Sequence, residues 1–316
     1  MRIALLAGGV GGARFTRALR TAAPDARLSV IGNTGDDIDL FGLHVSPDLD
    51  TIMYTLGGGI SEEQGWGRAD ETHVVRSELA AYGAGPDWFS LGDRDFATHI
   101  ARTAMLRAGL PLSAVTQTLC ERWRPGVDLL PMTDDSVRTH VVIEDEAGVR
   151  TVHFQEWWVK LHANVPARRF IAEGADQATP APGVLEAIAG ADFVLLPPSN
   201  PVVSIGVILA VPGIADAIRA KTVVGLSPVI GGAPVRGMAD ACLTAIGVQT
   251  SAAAVGAHYG PDLLDGWLVD TVDAAAVTAP ELAGITVRAV PLYLTDPRAS
   301  AQVAAAALDL AKSLAR

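Results

Sequence analysis

The sequence has only two cysteines, Cys120 and Cys242, and they lie far apart. Without a Cys-x-x-Cys spacing, they indicate neither a disulfide framework nor a zinc ribbon. The histidines are scattered as well, which argues against a zinc site. No apolar run approaches the roughly 18 residues of a membrane span, and no basic, cleavable leader precedes the first predicted strand. We therefore expect a soluble, cytoplasmic protein with no membrane partner.

Positive charge and aromatic residues are also scarce. The net charge is −11 and aromatics make up 5% of the chain, whereas 49% is hydrophobic. No basic stripe is present, so nucleic acid is not an expected partner. An anionic substrate would have to be attracted locally, by backbone amides, a few arginines or a metal ion. The apolar composition favours helices packed on a buried parallel sheet.

The chain begins with a predicted β-α-β unit. Arg2–Ala7 is a short apolar run that ends in glycines, Ala13–Ala23 has helical spacing, and Leu28–Gly32 is a second apolar run. The same alternation resumes late in the chain, with predicted strands at Asp192–Leu196 and Thr222–Leu226. We therefore predict an α/β fold, a Rossmann-like open and mostly parallel sheet with helices on both faces.

The middle of the chain breaks this alternation. Residues 95–124 are predicted to be mostly helical, and the runs Thr139–Ile143 and Thr151–Trp157 predict a β-hairpin. We interpret this part as a mainly helical insertion with a hairpin. The predicted organisation is one catalytic unit over residues 1–316, with an α/β core at about 1–55 and 170–316 and an inserted lobe at about 56–169.

The glycine-rich turn Gly8–Gly12 follows the first strand and opens a helix. Unpaired amides and the positive helix end favour a phosphate there. A Walker A loop is excluded because no Gly-Lys-Ser/Thr follows. The turn is also a poor dinucleotide fingerprint, since Arg14 replaces the third glycine and Asn33 stands where an acidic ribose ligand is expected, which disfavours hydride transfer. A tight turn without a ligand remains the alternative.

Two groups of polar residues follow later strands. Residues 33–60 are predicted to be a polar loop rich in aspartate, and the carboxylates of Asn33–Asp39 and Pro47–Thr51 suit Mg²⁺. Pro198–Gly206 and Ser227-Pro228 follow two late strands and could bind a phosphate or a base edge. Ordinary turn and capping roles remain open for both groups. Trp157-Trp158 indicates an acceptor pocket, the core of the hairpin or an interface.

Together these motifs resemble the 2-phospho-L-lactate transferase family. The resemblance runs in order through nearly the whole chain, in the segments LLAGGVGGARF (5–15), NTGDD (33–37), SPDLDTIMYTLGGG (46–59), GWGRADET (65–72), WFSLGDRDFATH (88–99), PMTDD (131–135), FQEWWV (154–159), PPSNPVVSIG (197–206), SPVIGG (227–232) and RGMADACL (236–243). It implies an enzyme that moves a phospho-organic-acid group from a guanosine diphosphate ester to the terminal ribityl hydroxyl of the deazaflavin Fo. GMP is released, and the product is (dehydro) coenzyme F-420-0. The resemblance also implies Mg²⁺ as cofactor and a homodimer.

The resemblance and the motifs together give a set of expected site residues. The donor and its nucleotide are expected at Gly9, Val10, Gly11, Gly12, Ser199, Asn200, Ser204, Ser227 and Pro228. Fo is expected at Asp50, Thr51, Tyr54 and Ser90. Asp36 and Asp50 are expected to be the catalytic residues and the Mg²⁺ ligands. The motifs do not decide whether the donor carries phospholactate, phosphoenolpyruvate or a phosphoglycerate. A nucleotide-binding relative with a regulatory role is the alternative function.

Overall fold

The computed structural model describes residues 1–315. Its strands, β1 to β14, are Arg2–Ala7, Arg27–Gly32, Ile38–Leu40, Leu43–Val45, Asp128–Pro131, Arg138–Asp145, Gly148–His153, Ala167–Glu173, Phe193–Leu196, Val223–Leu226, Val229–Ile230, Ala233–Pro234, Gly266–Val269 and Thr286–Ala289. Its α-helices, α1 to α11, are Gly9–Ala22, Pro47–Gly57, Val74–Ala81, Asp93–Arg107, Leu112–Trp123, Val184–Gly190, Gly206–Ala210, Ile214–Arg219, Ala239–Ala245, Ala252–Tyr259 and Pro297–Leu314. Shorter π-helical turns cover Glu156–Lys160 and Pro201–Ile205, and 3₁₀ turns cover Thr271–Thr278 and Pro280–Leu282.

Seven of the strands form one central sheet in the order β14-β13-β10-β9-β1-β2-β5. Every neighbouring pair in it is parallel. Strands β9, β10 and β13 are buried along their whole length, which explains why they read as continuous apolar runs in the sequence. The predicted fold class, an open parallel α/β sheet, is confirmed.

Helices cover both faces of this sheet, because successive side chains of a strand point to opposite faces. In β1, Ile3 and Leu5 join one apolar core, which α1, α2, α5 and α11 complete. Ala4 and Leu6 join a second core, against α6, α7, α8 and α10. None of the helices within residues 1–315 has both the length and the apolar character that crossing a bilayer requires.

A small antiparallel sheet lies outside the central one. The predicted hairpin is confirmed as β6 and β7, and β8 adds a third strand in the order β7-β6-β8. This sheet has its own apolar core, which includes Val141, Phe154 and Trp157. The stretch predicted as inserted is not continuous, however, because β5 lies within it and pairs with β2 in the central sheet.

The region predicted as a polar loop, residues 33–60, contains regular structure. A two-stranded ribbon, β3 and β4, is followed by helix α2. Pro47 is the first residue of α2, a position where its missing amide is no loss. Helix α2 packs beside α1 and supplies Leu49 and Met53 to the core. The helix therefore presents its polar residues in fixed directions, which a loop would not do.

Candidate functional site

One large cavity, of about 770 Å³, opens at the carboxyl edge of the central sheet. Its walls come from the loops after β1, β2, β9 and β10 and from the start of α2, and side chains of the small sheet's lobe close one side. This is the edge at which open α/β sheets bind ligands. The expected site residues that line the cavity are Gly9, Val10, Gly11, Asp36, Thr51, Ser90, Ser199, Asn200, Ser204, Ser227 and Pro228. Gly12, Asp50 and Tyr54 are not among the lining residues.

The glycine turn packs tightly against the loop after β9. A Cβ atom on Gly11 would collide with the carbonyl oxygen of Pro198, and one on Gly12 would lie 2.7 Å from Ser199 Oγ. Gly9 also has a positive φ of 62°, which disfavours any side chain. Glycine is therefore required here for close packing of the two loops, as well as for the close approach of a ligand to the backbone. Val10 and Gly11 remain on the cavity wall at the amino end of the 14-residue helix α1.

The polar side chains after β9 and β10 stabilise turns at this edge of the sheet, either their own turn or the glycine turn after β1. Ser199 Oγ accepts a hydrogen bond from the amide of Gly8 at 3.1 Å and donates one to its carbonyl at 2.7 Å. Asn200 Oδ1 caps the following π-helical turn. Ser227 Oγ donates to the carbonyl of Val229 at 2.7 Å. The capping roles left open by the sequence are therefore present, at positions that also line the cavity.

Two buried carboxylates, Asp36 and Asp48, face the cavity together. Asn33 Nδ2 joins them, donating to Asp36 Oδ1 at 3.1 Å and to Asp48 Oδ2 at 2.9 Å. The amide of Gly9 donates to Asp48 Oδ1 at 2.8 Å. Burial raises the pKa of Asp48 to about 6, and burial together with the charge of Asp48 raises the pKa of Asp36. The hydrogen bonds from Asn33 and Gly9 lower these pKa values, but they offset the effect of burial only in part.

Asp50 lies on the opposite side of α2, away from the cavity. Arg102 of α4 donates to both of its carboxylate oxygens, one bond measuring 3.0 Å, and His99 lies beside them. The next turn of the same face carries Tyr54, whose hydroxyl donates to Asp95 at 2.8 Å. These side chains are buried. The expected contact of Asp50 and Tyr54 with Fo therefore finds no support in their positions.

The geometry of an α-helix explains why Asp48 and Asp50 face different ways. Residues two apart differ by about 200° around the axis, so Asp48 and Asp50 point to opposite sides of α2. Thr51 is three residues after Asp48 and shares its side, and it lines the cavity. The sequence predicts a loop over this segment, and a loop gives no reason to single out Asp48. The Pro47 helix start, taken with the period of 3.6, is the signal that could have identified it.

The carboxylates brought together are those of Asp36 and Asp48, whereas Asp36 and Asp50 were expected. Two carboxylates fit Mg²⁺, which commonly takes its remaining ligands from phosphates and water. Within the described part of the chain, no group of three or more His, Cys, Asp or Glu residues is arranged to hold a metal ion. Asp50 fits poorly as a ligand, because the Arg102 guanidinium already neutralises it.

The cavity is also lined by residues that the sequence alone does not single out. Aromatic side chains of Trp66, Phe89 and Trp158 line it, as do the guanidinium groups of Arg14 and Arg236. The motif segments contained these residues, but nothing in their spacing shows that they meet. Trp157 is buried in the lobe core, so the suggestion that it is exposed at an interface is wrong.

In the metal-free protein, the contribution of Asp48 to the free energy of unfolding is expected to fall as pH rises from about 4 to about 6. Its pKa is about 6 in the folded chain against a usual 3.8, so between these values the folded state binds more protons than the unfolded state. Denaturation with urea across this range, with chelator present, measures the effect. The fall should be smaller in Asp48→Asn, and equal pH dependence in both proteins would contradict the expectation.

The fold and the cavity define an α/β protein of the Rossmann-like class, with its ligand site at the carboxyl ends of the strands. Comparison with known proteins gives the family. The model of the family described as 2-phospho-L-lactate transferase CofD matches residues 3–287. Since this match spans most of the chain, the protein belongs to the 2-phospho-L-lactate transferase CofD family.

Curated relatives agree with this family assignment, and a solved structure agrees with the fold. The chain is 66% identical to the phosphoenolpyruvate transferase of Thermobifida fusca and 67% identical to that of Streptomyces coelicolor, each over 99% of both chains. It is 52% identical to the phosphoenolpyruvate transferase of a Mycobacterium species, over 98% of this chain and 99% of the relative. A crystal structure of a UPF0052-family protein from Bacillus halodurans shares the fold, with a TM-score of 0.63 at 18% identity over 97% of this chain and 98% of that one.

Proposed function

We propose that the protein transfers a phospho-organic-acid group from a guanosine diphosphate donor to the terminal ribityl hydroxyl of Fo. GMP leaves, and (dehydro) coenzyme F-420-0 forms. The observation that carries the proposal is a large cavity that brings together the glycine turn, the acidic pair and several aromatic side chains. The names of the relatives favour phosphoenolpyruvate as the acid. Cytoplasmic location and a homodimer remain predictions.

The proposed donor site is the polar side of the cavity. The amides of Val10 and Gly11, at the positive end of α1, bind the diphosphate. The turns at Asn200 and Ser227 border the guanosine. Because backbone and helix supply this site, the acidic net charge of the protein does not prevent a multiply charged ligand from binding.

The proposed acceptor site is the aromatic side. The rings of Trp66, Phe89 and Trp158 offer flat apolar surfaces on which a deazaflavin ring system can pack. The ribityl chain then extends towards Thr51, which lies on the same face of α2 as Asp48. This arrangement brings the terminal hydroxyl close to the acidic pair. Ser90 also borders this side, and Arg76 Nη1 donates to its hydroxyl at 3.1 Å.

In the proposed reaction, the hydroxyl oxygen of Fo attacks the phosphorus next to the organic acid. The bond from that phosphorus to the bridging oxygen breaks, and GMP leaves with the bridging oxygen. An oxygen of the Asp36–Asp48 pair that does not contact the metal ion takes the hydroxyl proton. The same two side chains would hold Mg²⁺. When bound, Mg²⁺ supplies positive charge that neutralises the phosphate oxygens.

The test is product formation from Fo with each candidate donor, followed by mass spectrometry and by chromatography of GMP. We expect GMP release that requires Mg²⁺, is abolished by chelator, and is fastest with the phosphoenolpyruvate donor. Fo binding should also be seen by fluorescence titration. If no donor yields product and Fo does not bind, the transferase proposal is wrong and a regulatory nucleotide-binding role is favoured.

A further inference from the structure

Two arginines meet at the cavity beside the glycine turn. Arg14 is in the second turn of α1 and is half-buried, whereas Arg236 is exposed in the loop between β12 and α9. The guanidinium of Arg236 lies over the loop that contains Gly65 and donates a hydrogen bond to the carbonyl of Gln64. The two groups come from chain segments more than 200 residues apart, so the fold itself brings them together.

Neither arginine forms a salt bridge in the described chain, although the positive charge of Arg14 acts on the nearby carboxylate of Glu62 and helps to lower its pKa. Over residues 1–315, no carboxylate lies within 4.0 Å of either guanidinium, although the chain carries 35 acidic residues. By contrast, Arg17, one turn further along α1, is paired with Glu62. Partial burial and the positive charge of Arg14 lower the pKa of Arg236. The two cations therefore repel each other across the cavity, and a bound anion would relieve that repulsion.

We propose that Arg14 and Arg236 form a carboxylate subsite that recognises the organic acid of the donor. This inference rests on the proposed function, which supplies a donor with three anionic groups. The amides of the glycine turn account for two of them, the phosphates. The third is the carboxylate of the three-carbon acid, and a planar guanidinium can hold a carboxylate through two parallel hydrogen bonds.

The same two cations could instead hold a phosphate of the nucleotide, because both groups are anions with paired oxygens. The positions of the arginines favour the carboxylate. Asn200 and Ser227, which border the proposed guanosine side, follow β9 and β10, whereas Arg236 lies over the loop of Gln64 and Trp66 on the aromatic side. The subsite thus lies where the transferred acid would meet the acceptor.

The test pairs two ligands with four proteins. One ligand is the lactyl ester of guanosine diphosphate. The other is the ethyl ester of guanosine diphosphate, which keeps both phosphates but lacks the carboxylate. The proteins are the wild type, Arg14→Gln, Arg236→Gln and the control Arg17→Gln, whose arginine is on the same helix but pairs with Glu62. Dissociation constants are measured by calorimetry without Fo, so that binding is read separately from transfer.

We expect the wild type and Arg17→Gln to bind the lactyl ester roughly 10-fold or more tightly than the ethyl ester, as a charge-assisted hydrogen bond implies. Arg14→Gln and Arg236→Gln should bind both esters alike, with little change for the ethyl ester. Equal weakening for both esters would assign the arginines to a phosphate and overturn the proposal. A preference for the lactyl ester that persists in both variants, or is absent in the wild type, would also overturn it.

The outcome for the proposed function is separate. If the ester preference behaves as expected but the wild type releases no GMP when Fo is added, the subsite stands and the transferase proposal fails. If GMP is released but the preference for the lactyl ester does not depend on either arginine, the transferase proposal stands and the carboxylate subsite is wrong.

Discussion

Replacing Asp48 with asparagine is expected to lower kcat/KM for GMP release by about 100-fold or more. Loss of one well-placed electrostatic group in an active site commonly costs this much. Asp48 is fixed by the Gly9 amide and by Asn33, and with Asp36 it forms the only pair of buried carboxylates that faces the cavity in the described chain. The amide side chain removes the negative charge while nearly preserving the shape. Steady-state kinetics with saturating Mg²⁺ measure the effect.

The control is Asp39→Asn, which removes a carboxylate from the same acidic segment. The Asp39 side chain is 69% exposed and does not line the large cavity. The kcat/KM of this variant should therefore stay within about twofold of the wild-type value, as for most surface substitutions. If Asp48→Asn kept wild-type activity, the acidic pair would have no role in the transfer.

The second large effect concerns stability. Arg102→Met is expected to lower the free energy of unfolding by about 3–5 kcal/mol, the usual cost of leaving one member of a buried ion pair without its partner. The Asp50 carboxylate would then remain buried between His99 and the like charge of Asp95, and burial already raises its pKa. Urea denaturation of the wild type and the variant at neutral pH gives the difference.

Removing both charges together should restore much of the stability. The double variant Asp50→Leu/Arg102→Met removes both charges of this ion pair from the interface between α2 and α4, and such replacements are often neutral or stabilising. Arg27→Met is a control that breaks an exposed ion pair with Asp128, and it should cost less than about 1 kcal/mol. If Arg102→Met lowered the free energy of unfolding as little as this control, the buried contacts of Asp50 with Arg102 and His99 would not hold α2 in position.

The central sheet and its surrounding helices could be predicted well from the sequence. Strands such as β9 and β10 are buried on both faces, so each appears as a short continuous apolar run between turn residues. The turn after β1 could be predicted because glycines follow such a run directly. These features depend on local sequence, which is why the predicted edge of the sheet does carry the cavity.

The structural features that the sequence did not predict depend mostly on contacts between distant segments. Strand β5 has only four residues and joins the sheet by pairing with β2, about 100 residues earlier. Helix α2 looked like a loop because its first turn is rich in aspartate, and its direction is fixed by packing on α1. The meeting of Arg14 with Arg236 has no local signal at all. The sequence therefore indicated the acidic segment, but not which aspartate faces the ligand.

The most direct test of the site is titration of Mn²⁺, a paramagnetic substitute for Mg²⁺, monitored by electron paramagnetic resonance in the presence of GDP. We expect the wild type and Asp50→Asn to bind Mn²⁺ with similar affinity, and Asp48→Asn and Asp36→Asn to bind it at least about 10-fold more weakly. If Asp50→Asn lost Mn²⁺ binding while Asp48→Asn kept it, the acidic pair proposed as the metal and transfer site would be the wrong one.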